Sequence, residues 1–205
     1  MATFGQKKLV QKKAIKITKL EIRTIQDMAE ALAEIQRIVE TNKNNLPRQE
    51  RQKIATTLQK TLNKKDIFKK GLLNQKKIYQ NIDSVTEEQL QELKDRMAKA
   101  PEKEREILNL EIQQEQEKLK IGKTIIEHEQ MLDQWINSFI KLIETSIQHM
   151  RGTMYYQKVK EYLSEARIIL ARISELIQKM KIFEEKLIKI TEEEKKLLKK
   201  EKEIT

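Results

Sequence analysis

The sequence contains no cysteine, and only 4 glycines, 2 prolines and 4% aromatic residues occur among its 205 residues. Without cysteine, the chain has no disulfide framework, thiolate metal site or cysteine nucleophile. Scarce glycine and proline argue against folds with many turns, such as sandwiches and barrels. No apolar run approaches the ~20 residues that a membrane-spanning helix needs. These absences leave long helices with few connections as the consistent solution.

The abundant feature is charge, since 36% of the residues are charged and 38% are hydrophobic. The hydrophobic residues recur at spacings of three and four, which is typical of amphipathic helices. Turn-forming residues cluster at 42–47, 63–66, 83–84, 100–101 and 151–153. We therefore predict an all-α, elongated helical bundle with a long antiparallel coiled-coil hairpin. Its predicted parts are a basic N-terminal helical region (1–83), a short connecting helix (84–100) and the hairpin (101–205), which turns near 151–153.

The last predicted helix carries the most regular pattern in the chain. Its apolar positions alternate in steps of three and four over consecutive heptads, which predicts a coiled-coil seam. The seam positions are Val159, Tyr162, Ala166, Ile169, Ile173, Leu176, Met180, Phe183, Leu187 and Ile190. Glu194 continues the spacing as a charged exception. Such a seam predicts packing against another helix of this chain, a second copy or a helical partner protein.

Catalytic motifs are not found in the sequence. The two histidines, His128 and His149, are 21 residues apart on one predicted helix, too far to share a metal ion. No glycine-rich phosphate loop or nucleophile elbow occurs. We therefore expect no enzymatic activity, cofactor, metal ion or small-molecule substrate. Trp135 has two interpretations, as a core residue or as an anchor for a partner.

The positive charge is concentrated in the N-terminal part. Residues 1–80 hold 19 Lys or Arg and 7 Asp or Glu, a net charge of +12, whereas residues 81–205 have a net charge of −2. Two groups of cations at helical spacing predict a polyanion-binding surface. These cations are Lys7, Lys8, Lys12, Lys13, Lys16, Lys19 and Arg23 in the first group, and Lys64, Lys65, Lys69, Lys70, Lys76 and Lys77 in the second.

Three interpretations of these cations remain open. In the leading one, a scaffold protein engages nucleic acid or a ribonucleoprotein through its basic helices, while the coiled coil mediates assembly. In the second, the lysines only maintain solubility and the chain is a structural, self-associating coiled-coil protein. In the third, an apolar tip at 1–5 followed by Lys7 and Lys8 binds an anionic membrane surface. Because Met1–Ile17 has no apolar core of a signal peptide, we expect a cytoplasmic protein.

Overall fold

The computed structural model describes residues 4–153 and 155–204, with their side chains except those of residues 4–19, 67, 68, 70–79, 81–85, 201 and 204. Within this range the chain forms helices and no strand. The helices are α1 (Phe4–Asn42), α2 (Arg48–Asn63), α3 (Lys65–Lys99), α4 (Glu102–Arg151) and α5 (Tyr156–Ile204), with a 3₁₀ turn at Lys43–Asn45. The prediction of an all-α fold is confirmed, and α4 packs against α5 as a long hairpin. None of the described helices has an apolar stretch sufficient to cross a lipid bilayer.

Most helix ends coincide with the turn-forming residues of the sequence. The Asn42 side chain donates to the Ile38 carbonyl at 2.9 Å where α1 ends. Pro47 precedes α2 with φ −61°, the value that its ring imposes and that suits a helix start. The Pro101 carbonyl accepts the Glu104 N–H at 3.0 Å at the start of α4.

One predicted boundary does not appear as a helix end. Helix α3 runs from Lys65 to Lys99 through Asp83 and Ser84, so residues 84–100 do not form a separate short helix. Asp and Ser are weaker helix formers than Ala by less than about 0.7 kcal/mol, and neither Pro nor Gly occurs at residues 84–99. Propensity alone therefore did not suffice to end the helix there.

Tertiary contacts divide the chain into two compact units, and neither unit is one continuous stretch. Unit 1 comprises Met1–Ile17, Leu73–Glu129 and Lys179–Thr205, and unit 2 comprises Thr18–Leu72 and Gln130–Gln178. Helices α1, α3, α4 and α5 each contribute residues to both units. Each unit therefore combines segments that are distant in sequence, whereas the sequence predicts three consecutive ranges.

Unit 2 has an apolar interior supplied by α1, α2, α4 and α5. Its buried side chains include Met28, Leu32, Ile35, Val39, Leu58, Leu62, Leu132, Ile136, Phe139, Ile143, Val159, Leu163, Leu170 and Ile173. A cavity of about 10 Å³ among Met28, Leu62, Phe139 and Ile173 is the size of roughly one water probe, so these helices pack closely. The α4–α5 pairing is antiparallel, since Trp135 lies beside Arg172 and His149 lies beside Tyr162.

Unit 1 combines apolar and charged residues in its interior. Its buried apolar side chains include Leu108, Ile112, Ile121, Ile125, Met180, Leu187 and Ile190. The His128 ring stacks on Phe183 with 5.9 Å between ring centroids, which joins α4 to α5. Lys123 lies 3.9 Å from Glu87 and joins α4 to α3.

The buried face of α4 in unit 1 differs from the face that hydrophobicity predicts. The apolar residues Leu119 and Ile126 are only half-buried. Besides Ile112 and Ile121, the buried positions alternate in steps of three and four through Leu108, Glu111, Glu115, Lys118, Gly122, Ile125 and Glu129. Four of these seven positions are charged, so a search for apolar residues does not detect this heptad.

Candidate polyanion-binding site

Two connecting segments of unit 2 lie together at one end of its helices. Residues 42–53 contain the 3₁₀ turn and the start of α2, and residues 148–160 contain the turn between α4 and α5. Arg51 joins them, because its Nη1 donates to the Gly152 carbonyl at 2.7 Å across 101 residues of sequence. We call residues 42–53 and 148–160 the basic loop end.

The basic loop end carries a strong excess of positive charge. Its basic residues are Lys43, Arg48, Arg51, Lys53, Arg151, Lys158 and Lys160, and its acidic residue is Glu50. The Glu50 carboxylate is 3.2 Å from Lys53 on the same helix, so the one negative charge is already partly neutralised. Lys43, Arg48 and Arg151 are exposed and form no ion pair with any residue that the structure describes.

The backbone at Lys43 adopts a conformation that lysine rarely has. Its φ is 48°, which makes Lys43 the one non-glycine residue with positive φ in the described part of the chain. The left-handed region costs an L-residue roughly 1–2 kcal/mol, and glycine or asparagine ordinarily occupies it after a helix. The turn therefore places an exposed cation where glycine or asparagine would be more stable, and such strain often marks functional sites.

Aromatic rings accompany the cations at the basic loop end. Tyr155 is 58% exposed, although it directly precedes α5. Its ring centroid is 6.2 Å from that of His149 in an edge-on arrangement, and the Lys158 ammonium is 5.7 Å from the ring centre. The Lys160 ammonium lies 6.0 Å from the Tyr156 ring. The ring of Tyr155 is thus flanked by a histidine and a cation while more than half of the residue remains open to solvent.

The structure describes only part of the two predicted basic groups. Of these residues, Arg23 and Lys69 are exposed and Lys64 and Lys65 are half-buried. Lys64 lies 3.8 Å from Asp27, so part of its charge is balanced within unit 2. The remaining side chains, those of Lys7, Lys8, Lys12, Lys13, Lys16, Lys19, Lys70, Lys76 and Lys77, lie outside the described residues. Their role in polyanion binding stays a prediction.

The ten predicted seam positions of α5 all turn toward the interior. Tyr162, Ile169 and Phe183 are half-buried, and the other seven are buried. Leu163, Leu170 and Ile177 are buried as well, which widens the face that α5 presents to the other helices of this chain. These residues of α5 therefore pack against other parts of the same chain.

A buried group of three charged residues lies between α4 and α5 in unit 1. The Lys118 ammonium is 2.7 Å from the Glu115 carboxylate and also donates to Glu194. Burial and a hydrogen bond with Glu194 raise the pKa of Glu115 to about 8. With Glu115 protonated near neutral pH, the remaining charges of Lys118 and Glu194 cancel, which limits the cost of burying them.

The histidines and the tryptophan take part in ring contacts rather than in a metal site. His128 stacks on Phe183, and His149 lies between Tyr155 and Tyr162. The Arg172 guanidinium lies 5.9 Å from the half-buried Trp135 ring. Among the described side chains, no group of three or more His, Cys, Asp or Glu residues is arranged to hold a metal ion.

The basic loop end was not predicted from the sequence. Its cations are spread over two segments about a hundred residues apart, and neither segment has the lysine density of residues 7–19. The available signal was the position of Arg48, Arg51 and Arg151 next to predicted turns. No protein-family model matches the chain, and no match is found among curated proteins or among solved structures. Its function must therefore be inferred from its own residues.

Proposed function

We propose that the protein is a non-enzymatic nucleic-acid-binding protein whose basic loop end contacts the phosphate backbone. The observation that carries this proposal is the meeting of seven basic residues and one acidic residue at the two segments joined by Arg51 and Gly152. Phosphate contacts release counterions, so clustered exposed cations supply affinity that does not depend on base sequence. Arginine can hold a phosphate with two parallel hydrogen bonds, and Arg48 and Arg151 are exposed for such contacts.

A nucleic acid fits this surface better than a lipid bilayer does. A loop that inserts into a membrane needs exposed apolar side chains, but Leu46 and Met150 at the basic loop end are buried. Its one described exposed large hydrophobic residue is Tyr155, whose ring is polar at the hydroxyl end. The predicted N-terminal cations would extend the electrostatic attraction to either polyanion, so they do not discriminate between the two.

Assembly through the hairpin is the second candidate function, and exposed apolar residues favour it. Leu110, Met131, Ile182 and Leu198 of α4 and α5 are all between 44% and 53% exposed. In unit 1, Leu110 and Leu197 line a surface groove of about 350 Å³ together with the charged residues Glu117, Glu193 and Lys196. Such residues would be covered in a self-associated form, whereas a monomer would leave them in solvent.

The test of nucleic-acid binding compares two variants with the same change in charge. The first variant carries Lys43→Gln, Arg48→Gln and Arg151→Gln at the basic loop end. The control carries Lys60→Gln, Lys94→Gln and Lys141→Gln, which are exposed lysines outside it. Binding of the full-length chain to fluorescent DNA and RNA oligonucleotides is measured over a range of salt concentrations, with anionic liposomes in parallel.

We expect the loop-end variant to bind at least about 10-fold more weakly near 0.1 M salt and to lose about 2 to 3 in the slope of log K against log salt. The control should lose much less affinity, and its salt slope should change much less. Equal losses in the two variants would show that net charge alone attracts the ligand and would refute a site at the basic loop end. Binding to liposomes without binding to nucleic acid would favour the membrane interpretation.

A further inference from the structure

We infer that the basic loop end takes unpaired nucleotides, with one base stacked on Tyr155 and the adjacent phosphates held by the surrounding cations. This inference rests on the proposed nucleic-acid binding and specifies its ligand. Such a ligand presents an accessible base face next to a phosphate, and single-stranded DNA and the loops of folded RNA both provide this arrangement.

Tyr155 is more exposed than the tyrosines near it. The neighbouring tyrosines Tyr156 and Tyr162 are half-buried, whereas Tyr155 is 58% exposed at the tip of the α4–α5 turn. A large aromatic ring at a loop tip gives little to the stability of the fold, but it is the kind of platform on which bases stack.

Two neighbouring side chains contact the Tyr155 ring. His149 meets the Tyr155 ring edge-on with an angle of 80° between the planes, and the Lys158 ammonium lies 5.7 Å from its centre. These two contacts restrict the ring's orientation before any ligand arrives. A ring that is already oriented loses less side-chain entropy when a base stacks on it.

The basic loop end also supplies further cations and side-chain amides. Arg151 precedes Tyr155 by four residues, and the Arg51 contact with Gly152 brings the turn of residues 43–47 to the same end. The exposed side chains of Asn44 and Asn45 in this turn can donate to and accept from the edge of a base. The two segments that Arg51 and Gly152 join therefore supply an aromatic ring for a base, cations for a phosphate and amides for a base edge.

The fold also disfavours a duplex as the preferred ligand. Duplex recognition generally places a helix or a two-stranded ribbon along a groove, where bases stay stacked on one another. The basic loop end instead consists of two short turns and the helix ends that flank them, and a tyrosine in such a turn reaches a base only when that base is unstacked.

The experiment uses the full chain with Tyr155→Ala and Tyr155→Phe, and Ile168→Ala as the control. Ile168 lies on α5, which Tyr155 directly precedes, and is 55% exposed, so its truncation removes exposed apolar surface away from the basic loop end. The probes are a dT oligonucleotide, a U oligonucleotide, a DNA duplex of the same length and vesicles containing phosphatidylserine. Affinity is measured as a function of salt concentration for every combination of protein variant and probe.

We expect the parent to bind the single strands more tightly than the duplex, and Tyr155→Ala to weaken single-strand binding about 10-fold or more. Its salt slope should stay unchanged, because stacking releases no counterions, and Tyr155→Phe and Ile168→Ala should bind like the parent. Comparison of the dT and U probes identifies DNA or RNA as the source of the unpaired nucleotides.

Two results would overturn the inference while leaving the proposed function intact. One is equal or tighter binding of the parent to the duplex, and the other is unchanged single-strand affinity in Tyr155→Ala. Binding of the parent to vesicles only, or to no probe, would overturn the proposed function together with the inference.

Discussion

The two units are built largely from the same helices, yet their interiors differ in chemistry. Unit 2 buries leucine, isoleucine, valine, methionine and phenylalanine, and Glu21 is the one buried charged residue among its described side chains. Hydroxyls such as Thr24, Thr61 and Ser146 donate to carbonyls one turn earlier. Unit 1 buries Glu111, Glu115, Lys118, Glu129, Glu184 and Glu194 beside its apolar residues. The helical repeat thus turns a position inward whatever side chain it carries.

This difference means that the units depend on different interactions. Apolar burial in unit 2 contributes about 25 cal/mol per Å² and hardly depends on pH. Buried charges in unit 1 lose hydration, and they are tolerated only when their partners and protonation states compensate. Unit 2 should therefore be sensitive to any introduced charge, and unit 1 should be sensitive to pH.

The largest expected effect follows from placing a charge inside unit 2. Ile173 is 2% exposed and borders the small apolar cavity, so Ile173→Asp should destabilise the fold by about 4 kcal/mol or more. Ile168, on the same helix, is 55% exposed, and Ile168→Asp should change stability by less than about 1 kcal/mol. Urea denaturation followed by circular dichroism compares the two. Similar losses would contradict the described orientation of α5.

A smaller effect is expected from the pH dependence of unit 1. The pKa of Glu115 is raised to about 8 in the folded chain, against 4.5 for the ordinary side chain. A raised pKa contributes stability that is fully present below about pH 4.5 and is lost as the pH rises through about 8. Glu115→Gln keeps a neutral group, so it should remove this loss and exceed the parent's stability by a few kcal/mol at pH 9.

Urea denaturation at pH 5, 7 and 9 measures this difference. The advantage of Glu115→Gln over the parent should grow with pH and nearly vanish at pH 5. Glu117→Gln changes an exposed carboxylate on the same helix and should show no such trend. A Glu115→Gln variant that is less stable than the parent at pH 9 would mean that the ionised carboxylate stabilises unit 1.

The smallest expected effect concerns the strained turn of unit 2. Lys43→Gly relieves an unfavourable positive φ and should stabilise the fold by about 1 kcal/mol while weakening nucleic-acid binding by removal of one cation. Lys53→Gly, inside α2, should destabilise it by a similar amount because glycine disfavours a helix interior. Chemical denaturation of both variants checks the opposite signs. A destabilised Lys43→Gly variant would refute strain at this position.

The sequence was sufficient to predict the helices and most of their ends. Strong local signals at Asn42, Asn63, Pro101 and Arg151 act through the backbone of their own neighbourhood, so they can be interpreted without knowledge of the tertiary structure. The signal at Asp83 and Ser84 was of the weaker kind, because a polar residue favours a helix end without requiring one. Helix α3 continues through it.

The sequence was not sufficient to predict either the buried charges or the basic loop end. Glu194 stood out as an exception in the seam, but its pairing with Lys118 depends on how α4 and α5 are aligned. In the same way, the contact of Arg51 with Gly152 joins residues 101 apart in sequence. Periodicity describes one helix at a time, whereas both features arise only when helices from distant parts of the chain meet.

The most direct test of the account is hydrogen–deuterium exchange of the full chain with and without a saturating single-stranded oligonucleotide. The backbone amides of residues 43–46, 153 and 155 lie outside the α-helices and should exchange quickly in the free chain. We predict slower exchange in both turns when the ligand is bound. Protection confined to other parts of the chain, such as the N-terminal basic segment, would contradict the assignment of nucleic-acid binding to the basic loop end.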